Sequence, residues 1–489
     1  MSTWTALLPI ALAFVGSVLA LAADAVGQRR AAVSVSAIVL FGAAVAAGWM
    51  AVNQDITTLS EIPLAVGRGY SAITAVVFFV AAIALVGAYR SLEDVPSGGQ
   101  VAALVALLAV SSAVMATALD LLLIIIALEG IAMTSYALVS VTRDRRADEA
   151  AMKYFVQGAV ATGFALYALS LIFGLFGGNL GLADIASGVS TGGRPALLAM
   201  ALLIATYAFK LSAFPFHSWA PDAYETTRPS VAAFMATAPK LAILGSLMLV
   251  LPLVGFSAEQ FGPSGFFLLA VLAVASVVFG NFAGLKQSSF TRMLAYSGIA
   301  QVGYALVGAA AMFLMPLGER GAYSVIAAGT AYALAAAGAF MAAQAVRSAI
   351  PSWDGSISGL SGLGRTRPVL AAALAVMLLS LTGIPLTAGF WGKFLVFSDA
   401  VAAGHAWLAV VGMIGSVVSF GYYGNVMRAM YLDEPVKLPA VSVGAEKSTG
   451  TADQVAEFTV VVLAVIVLAL GTLPFLLGFD FLGGVFAVL

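Results

Sequence analysis

The chain has 489 residues, 62% of them hydrophobic and only 9% charged, with a mean hydropathy of +1.05 and a net charge of -1. So few charges cannot cover a soluble protein of this size, and the near-neutral balance argues against a nucleic-acid partner or a polybasic lipid-surface role. Without cysteine there are no disulfides, thiolate metal sites or ordinary iron–sulfur clusters, and two histidines, His217 and His405, leave little for haem or zinc.

A helix needs about 20 apolar residues to cross the hydrocarbon. Runs of that size lie at 4–23, 31–52, 70–89, 100–118, 120–141, 151–177 and 195–217. They continue at 229–253, 263–284, 290–315, 321–346, 368–398, 404–431 and 456–479. The pattern predicts an all-α polytopic membrane protein with about 14 transmembrane helices. The first run, ending in Leu-Ala-Leu-Ala-Ala-Asp24, looks at first like a secretory signal. Its positive charges, Arg29 and Arg30, follow rather than precede it, so it reads as a retained first helix. The fourth and fifth spans nearly touch at Asp120, and the run 368–398 is long and broken. Gly-Leu-Phe-Gly-Gly-Asn-Leu-Gly-Leu, at 174–182, is a turn with no following basic residue to make it a phosphate loop. The polar stretch 439–455 reads as a flexible connector.

Loop charge gives an independent check on the count. Loops after odd-numbered spans, with their flanking turns, hold Arg29, Arg30, Arg90, Arg143, Arg145, Arg146, Lys153 and Arg228. They also hold Lys286, Arg292, Arg347, Arg365, Arg367, Arg428, Lys437 and Lys447. Loops after even-numbered spans hold only Arg68, Arg194 and Arg320. By the positive-inside rule the odd loops are cytoplasmic and both termini lie outside.

The seventh and twelfth spans carry helix breakers beside a lysine: Lys210-Leu-Ser-Ala-Phe-Pro215 and Pro385-Leu-Thr-Ala-Gly-Phe-Trp-Gly-Lys393. They lie five spans apart, so two five-helix units containing them run in opposite directions through the membrane. The expected organisation is spans 1–3 over 1–99, one repeat over 100–255, an inverted repeat over 256–432, and a connector with the last helix over 433–489. Inverted repeats with discontinuous helices place transport sites near the midplane.

Three lysines, Lys210, Lys240 and Lys393, sit inside apolar runs, where an ionisable side chain is a functional candidate by default. Glu129, in Ile-Ile-Ile-Ala-Leu-Glu-Gly, lies near the middle of the fifth span, with Lys210 and Lys240 as available partners. A carboxylate holds a proton on a neighbouring lysine, and desolvation drives it off, so moving Glu129 against Lys210 is a minimal proton switch. The competing reading is a static ion pair joining two helices. Lys240 follows Pro239 at the centre of its span, where snorkelling is difficult. Lys393 lies nearer a helix end, where a long side chain reaches the interface. His217, just after the break, is a possible proton relay or a structural histidine. His405 reads as interfacial, and Asp222 and Glu225 as caps of the eighth span or proton collectors.

Lys210-Leu-Ser-Ala-Phe-Pro-Phe-His-Ser-Trp-Ala-Pro-Asp-Ala-Tyr-Glu225 closely resembles the signature of the antiporter-like proton-channel subunits of respiratory complex I. So do Phe290-Thr-Arg-Met-Leu-Ala-Tyr-Ser-Gly-Ile-Ala-Gln-Val-Gly-Tyr304 and Gly383-Ile-Pro-Leu-Thr-Ala-Gly-Phe-Trp-Gly-Lys393. Glu149-Ala-Ala-Met-Lys-Tyr-Phe155, Pro221-Asp-Ala-Tyr-Glu225 and Ala236-Thr-Ala-Pro-Lys240 are similar to the subunit N branch of that family. The resemblance implies that Glu129, Lys210, Lys240 and Lys393 form a proton path, Lys393 belonging to the second half-channel. It implies an NADH-oxidising, quinone-reducing assembly in a bacterial inner membrane. Flavin, iron–sulfur clusters and quinone would sit in partner subunits, with none in this chain, and the neighbours would be other membrane subunits, antiporter-like ones among them, and lipids. Two departures stand out: Gln301 occupies a position where that branch often has a histidine, and Arg228-Pro-Ser230 replaces the usual Pro-Thr-Pro. A multi-subunit cation/proton antiporter, sharing these motifs, and a non-pumping membrane scaffold remain as alternative readings.

Overall fold

The computed structural model describes residues 3–477 apart from 55–56, 60–61, 94, 96, 142–143, 189–192, 255–261, 314–319 and 436–450. Of the expected connector at 439–455, residues 439–450 lie outside the described residues, and 451–455 are not connector but the start of α19. With no water in the hydrocarbon, backbone N–H and C=O groups must pair within the segment, and the helix is the form that does so. The helices are α1 (Thr3–Ala25), α2 (Arg29–Asn53), α3 (Arg68–Glu93), α4 (Gly98–Thr117), α5 (Leu121–Ser140) and α6 (Arg145–Leu175). There follow α7 (Leu182–Gly188), α8 (Gly193–Lys210), α9 (Trp219–Thr226), α10 (Pro229–Met235), α11 (Ala238–Val254) and α12 (Gly262–Gly284). The remainder are α13 (Phe290–Ala311), α14 (Arg320–Ala349), α15 (Leu363–Thr366), α16 (Pro368–Thr382), α17 (Ala388–Ala402), α18 (Ala406–Tyr431) and α19 (Thr451–Leu477). A two-residue antiparallel ribbon, Thr57–Thr58 with Ala65–Val66, pairs Thr57 with Val66.

Among the described residues, 12 helices are long and apolar enough to cross a membrane. The two expected runs missing from that set are 195–217 and 368–398, and both are broken. In the first, α8 stops at Lys210 and the chain turns into the short α9; in the second, a turn separates α16 from α17. The eighth expected span is kinked where α10 gives way to α11 at Ala236–Thr237.

Sequence marks where several helices begin. Asp120 caps α5, its carboxylate accepting from the N–H groups of Leu122 and Leu123 at 2.9 and 3.2 Å. Pro229 and Pro368 start α10 and α16. Asp222 and Glu225 cap nothing: α10 is preceded by Arg228 with no side-chain cap. Instead both carboxylates lie on α9 and hold Arg292, at 2.7 and 3.0 Å, while Asp222 also meets Lys153. The reason is α9 itself, which carries both acids on a turn facing the start of α13.

Burial sorts the helices into an interior and a rim. In α10–α11 and in α14, 94% of the spanning residues are buried, and in α13 89%, so these spans contact protein on all sides. α14 packs on α3, α10, α11, α13, α16, α17 and α19 and is the spine of the bundle. By contrast α1, α2, α5, α6, α12 and α18 present rows of exposed Leu, Ile, Val and Phe, the expected surface toward lipid or a neighbouring membrane subunit. Lys240 on α11 and Lys393 on α17 thus lie on helices that pack against the spine.

Candidate functional site

Both broken helices end in the same way. At the end of α8 the N–H of Ala213 bonds the Ala208 carbonyl and that of Ser212 bonds Phe209, with Ser212 left-handed at φ 57°. At the end of α16 the N–H of Ile384 bonds Leu379 and that of Gly383 bonds Ser380, with Gly383 at φ 93°. This 6→1 and 5→2 pattern is a Schellman stop. The left-handed residue is serine at the first stop and glycine at the second. The Phe214–Pro215 peptide bond that follows the first stop is cis.

A stopped helix leaves carbonyls without partners and a negative dipole end, which attract cations. Lys393, on the second turn of α17, turns back onto α16: its Nζ donates to the carbonyls of Leu381 and Thr382 at 3.0 and 2.8 Å and to Ser416 Oγ at 3.0 Å. The same ammonium lies 4.3 Å from the centroid of the Tyr304 ring. Snorkelling toward a helix end, an open possibility in sequence, does not occur. The helix break supplies nearer oxygens than the interface does.

At the first break the arrangement is divided between two lysines. Lys240, the third residue of α11, donates to Ser212 Oγ at 2.6 Å and is 2% exposed. Lys210, the last residue of α8, has its Nζ 3.5 Å from Glu129 Oε1 and 3.5 Å from the Leu128 carbonyl. Glu129 also accepts from Thr162 Oγ1 at 2.8 Å. Of the two lysines considered as its partner, Lys210 is the one within reach. The pair is asymmetric: the Lys210 side chain is 1% exposed and the Glu129 side chain 25%.

His217 stands apart. It is buried between Phe214 and Phe279, ring centroids 5.3 and 4.4 Å away, and its Nδ1 finds no partner among the described residues. No hydrogen bond or ion pair among the described residues joins it to any of the three lysines. His405 precedes α18, accepting from Trp407 Nε1 at 3.2 Å, away from all of these groups. Sequence reasoning missed Ser212, Thr162, Ser416 and Tyr304. Only Ser212 had a local signal, a hydroxyl two residues after a buried lysine and three before a proline. The others come from helices brought together by packing.

Gly383 offers a direct check on the second stop. A Cβ there would sit 2.9 Å from Lys393 Cδ in a left-handed backbone. Gly383→Ala is expected to lower stability by about 1–2 kcal/mol from backbone strain alone, read as a lower midpoint for thermal unfolding of the purified assembly. An unchanged midpoint would show that the turn relaxes freely.

Comparison with known proteins places this geometry. The family model described as "NADH:quinone oxidoreductase/Mrp antiporter, TM" matches residues 118–419. NADH-quinone oxidoreductase subunit N of Trichlorobacter lovleyi is 38% identical over 397 residues, covering 79% of each chain. The subunit N of a Caulobacter species is 38% identical over 378 residues, 75% of each chain. A chain of the respiratory complex I structure from Thermus thermophilus is 32% identical with a TM-score of 0.77, covering 96% of this chain and 98% of that one. A chain of the Mrp complex from a Dietzia species shares the fold, with a TM-score of 0.83 at 21% identity over 100% and 97% of the two chains. The sequence and the two broken, lysine-bearing helices agree in their assignment: the chain is a member of the NADH:quinone oxidoreductase/Mrp antiporter membrane family, on its subunit N branch.

Proposed function

We propose that the chain is a proton-translocating membrane subunit of an NADH:quinone oxidoreductase, complex I. Protons would move through Glu129, Lys210, Lys240 and Lys393, with His217 as an accessory relay, driven by redox chemistry in partner subunits that hold the flavin, iron–sulfur clusters and quinone. One observation carries the reading. Three lysines are buried at 3, 2 and 7% exposure, each at a helix stop, and among the described residues only Lys210 has a carboxylate in reach. Burying charge is expensive unless it is fully paired. Helix C-terminal carbonyls and hydroxyls compensate Lys240 and Lys393 only in part, which leaves them able to give up a proton. The 38% identity to subunit N relatives favours this reading over a cation/proton antiporter, for which the likeness is one of fold.

The matching Schellman stops at Ser212 and Gly383 support inverted repeats over 100–255 and 256–432, and the two broken spans would complete fourteen crossings. Loop charge supports cytoplasmic odd loops, with both termini on the periplasmic side of a bacterial inner membrane. Ile126, Glu129 and Met133 share one side of α5, with Ile126 and Met133 both exposed. That side suits a neighbouring antiporter-like subunit, with lipid covering the other apolar faces, so Glu129 would sit at the seam where coupling arrives. The test is Glu129→Gln in inside-out membrane vesicles. Proton uptake per NADH oxidised should fall about tenfold, ~1.4 kcal/mol of barrier, with the complex still assembled; wild-type uptake would refute the role of the pair.

A further inference from the structure

Lys240 and Lys393 lie in different repeats, and no titratable side chain of the described residues bonds to both. Gln301, on α13 between them, is an amide: its Nε2 donates to the Leu381 carbonyl at 2.7 Å, the oxygen that Lys393 also uses. An amide neither gains nor loses a proton at ordinary pH, so Gln301 holds the end of α16 rather than passing charge. The connection must lie elsewhere.

Tyr332, on α14, is the residue that reaches both sides. The position a Cβ would take at Gly298 is 2.6 Å from the Tyr332 hydroxyl oxygen and 3.8 Å from Lys240 Nζ. The missing side chain of Gly298 thus lets the Tyr332 hydroxyl oxygen close on the backbone and puts it within about 6.4 Å of Lys240 Nζ, a gap of the size that one bridging water spans. Tyr332 also lines a small cavity shared with Gln301, Tyr304, Ser380, Leu381 and Lys393, about 10 Å³ in volume. That is close to the least space a single water occupies, and the wall offers the polar partners a water requires. The hydroxyl itself donates to the Ala236 carbonyl at 2.8 Å, at the kink between α10 and α11. Ala236 lies four residues before Lys240, so the hydroxyl is tied to the element that carries the lysine.

We propose that the Tyr332 hydroxyl is the junction for proton transfer between Lys240 and Lys393, reached across the gap at Gly298. The inference rests on the proton-translocation reading above. In the step, Lys240 releases a proton across that gap to the hydroxyl oxygen. The O–H bond already present breaks as its hydrogen leaves through the cavity, and the Lys393 amine takes up the proton. Lys240 ends as a neutral amine, Lys393 as an ammonium, and Tyr332 is unchanged. The hydroxyl must first turn its hydrogen from the Ala236 carbonyl toward the cavity, so a change in the α10–α11 kink would set when the junction conducts.

The experiment uses the assembled complex in inside-out vesicles, with proton uptake per NADH measured in H2O and D2O. Tyr332→Phe removes one oxygen and little volume. It should slow proton uptake about tenfold, with normal assembly and an increased solvent isotope effect as transfer becomes limiting. Gly298→Ala should be slow as well. The double variant Gly298→Ala/Tyr332→Phe, in which the oxygen that meets the new methyl is gone, should remain slow. Recovery of wild-type uptake in the double variant would mean that only packing mattered, and would overturn the junction. Wild-type uptake and isotope effect in Tyr332→Phe would do the same. Lys240→Met separates the two levels: inactive beside a normal Tyr332→Phe, it refutes the junction alone, whereas normal uptake in Lys240→Met refutes the proton path itself.

Discussion

Lys210→Met is expected to abolish redox-linked proton uptake, by 100-fold or more (~2.7 kcal/mol of barrier), while the complex still assembles. Methionine keeps most of the length and apolar character of the side chain, so α8 can end where it does. What is lost is the cation 3.5 Å from Glu129. Removing one member of a buried pair costs about 3–5 kcal/mol when the other stays charged. Glu129 avoids part of that penalty, because its side chain is 25% exposed in this chain rather than fully buried. Its bond from Thr162 also survives. Stability should therefore fall little and pumping completely. The double variant Lys210→Met/Glu129→Gln separates a switch from a static pair. It restores neutrality and shape, so a merely structural pair predicts recovery of proton uptake, and a proton switch predicts none. The energetic demand favours the switch: each charge moved against 100 mV requires about 2.3 kcal/mol, and an ungated pair of fixed affinity would let protons run back.

Much of this site was legible in sequence because the membrane is an unforgiving solvent. A lysine or glutamate inside an apolar run is conspicuous, so Glu129, Lys210, Lys240 and Lys393 stood out from composition alone. Prolines near Lys210 and Lys393 marked the two breaks, and it is at these breaks that the expected fourteen spans part from the twelve long enough to cross among the described residues. What stayed hidden was pairing across helices. Ser416 is 23 residues from Lys393, Thr162 is 33 from Glu129, and Tyr332 approaches Lys240 from a helix that reads as plain apolar sequence. Hydroxyls are ordinary in membrane helices, where they bond their own i−4 carbonyls, as Thr206 and Ser112 do here. Nothing local separates those from the few that face a lysine. The acids on α9 were misplaced for a related reason: a short helix inside a loop presented them to Arg292 rather than to the next helix end.

Lys393 tests the second repeat, and here two substitutions divide structure from chemistry. Lys393→Met removes the donor from the Leu381 and Thr382 carbonyls. Leu381 keeps Gln301, but the Thr382 carbonyl loses its lysine, a penalty of about 1–3 kcal/mol for a buried acceptor left unpaired. Loss of pumping in that variant alone would fit either a missing proton carrier or a loosened turn. Lys393→Arg resolves the ambiguity. The guanidinium keeps the positive charge against the end of α16 and can still donate to both carbonyls, so the turn and the assembly should persist. It does not deprotonate in a protein, so it cannot hand a proton onward. The expected result is an assembled complex with a near-normal thermal midpoint and proton uptake reduced by 100-fold or more, ~2.7 kcal/mol. Substantial pumping by Lys393→Arg would mean that the charge at this helix stop is a fixed electrostatic element. The proton would then leave the second repeat by another group.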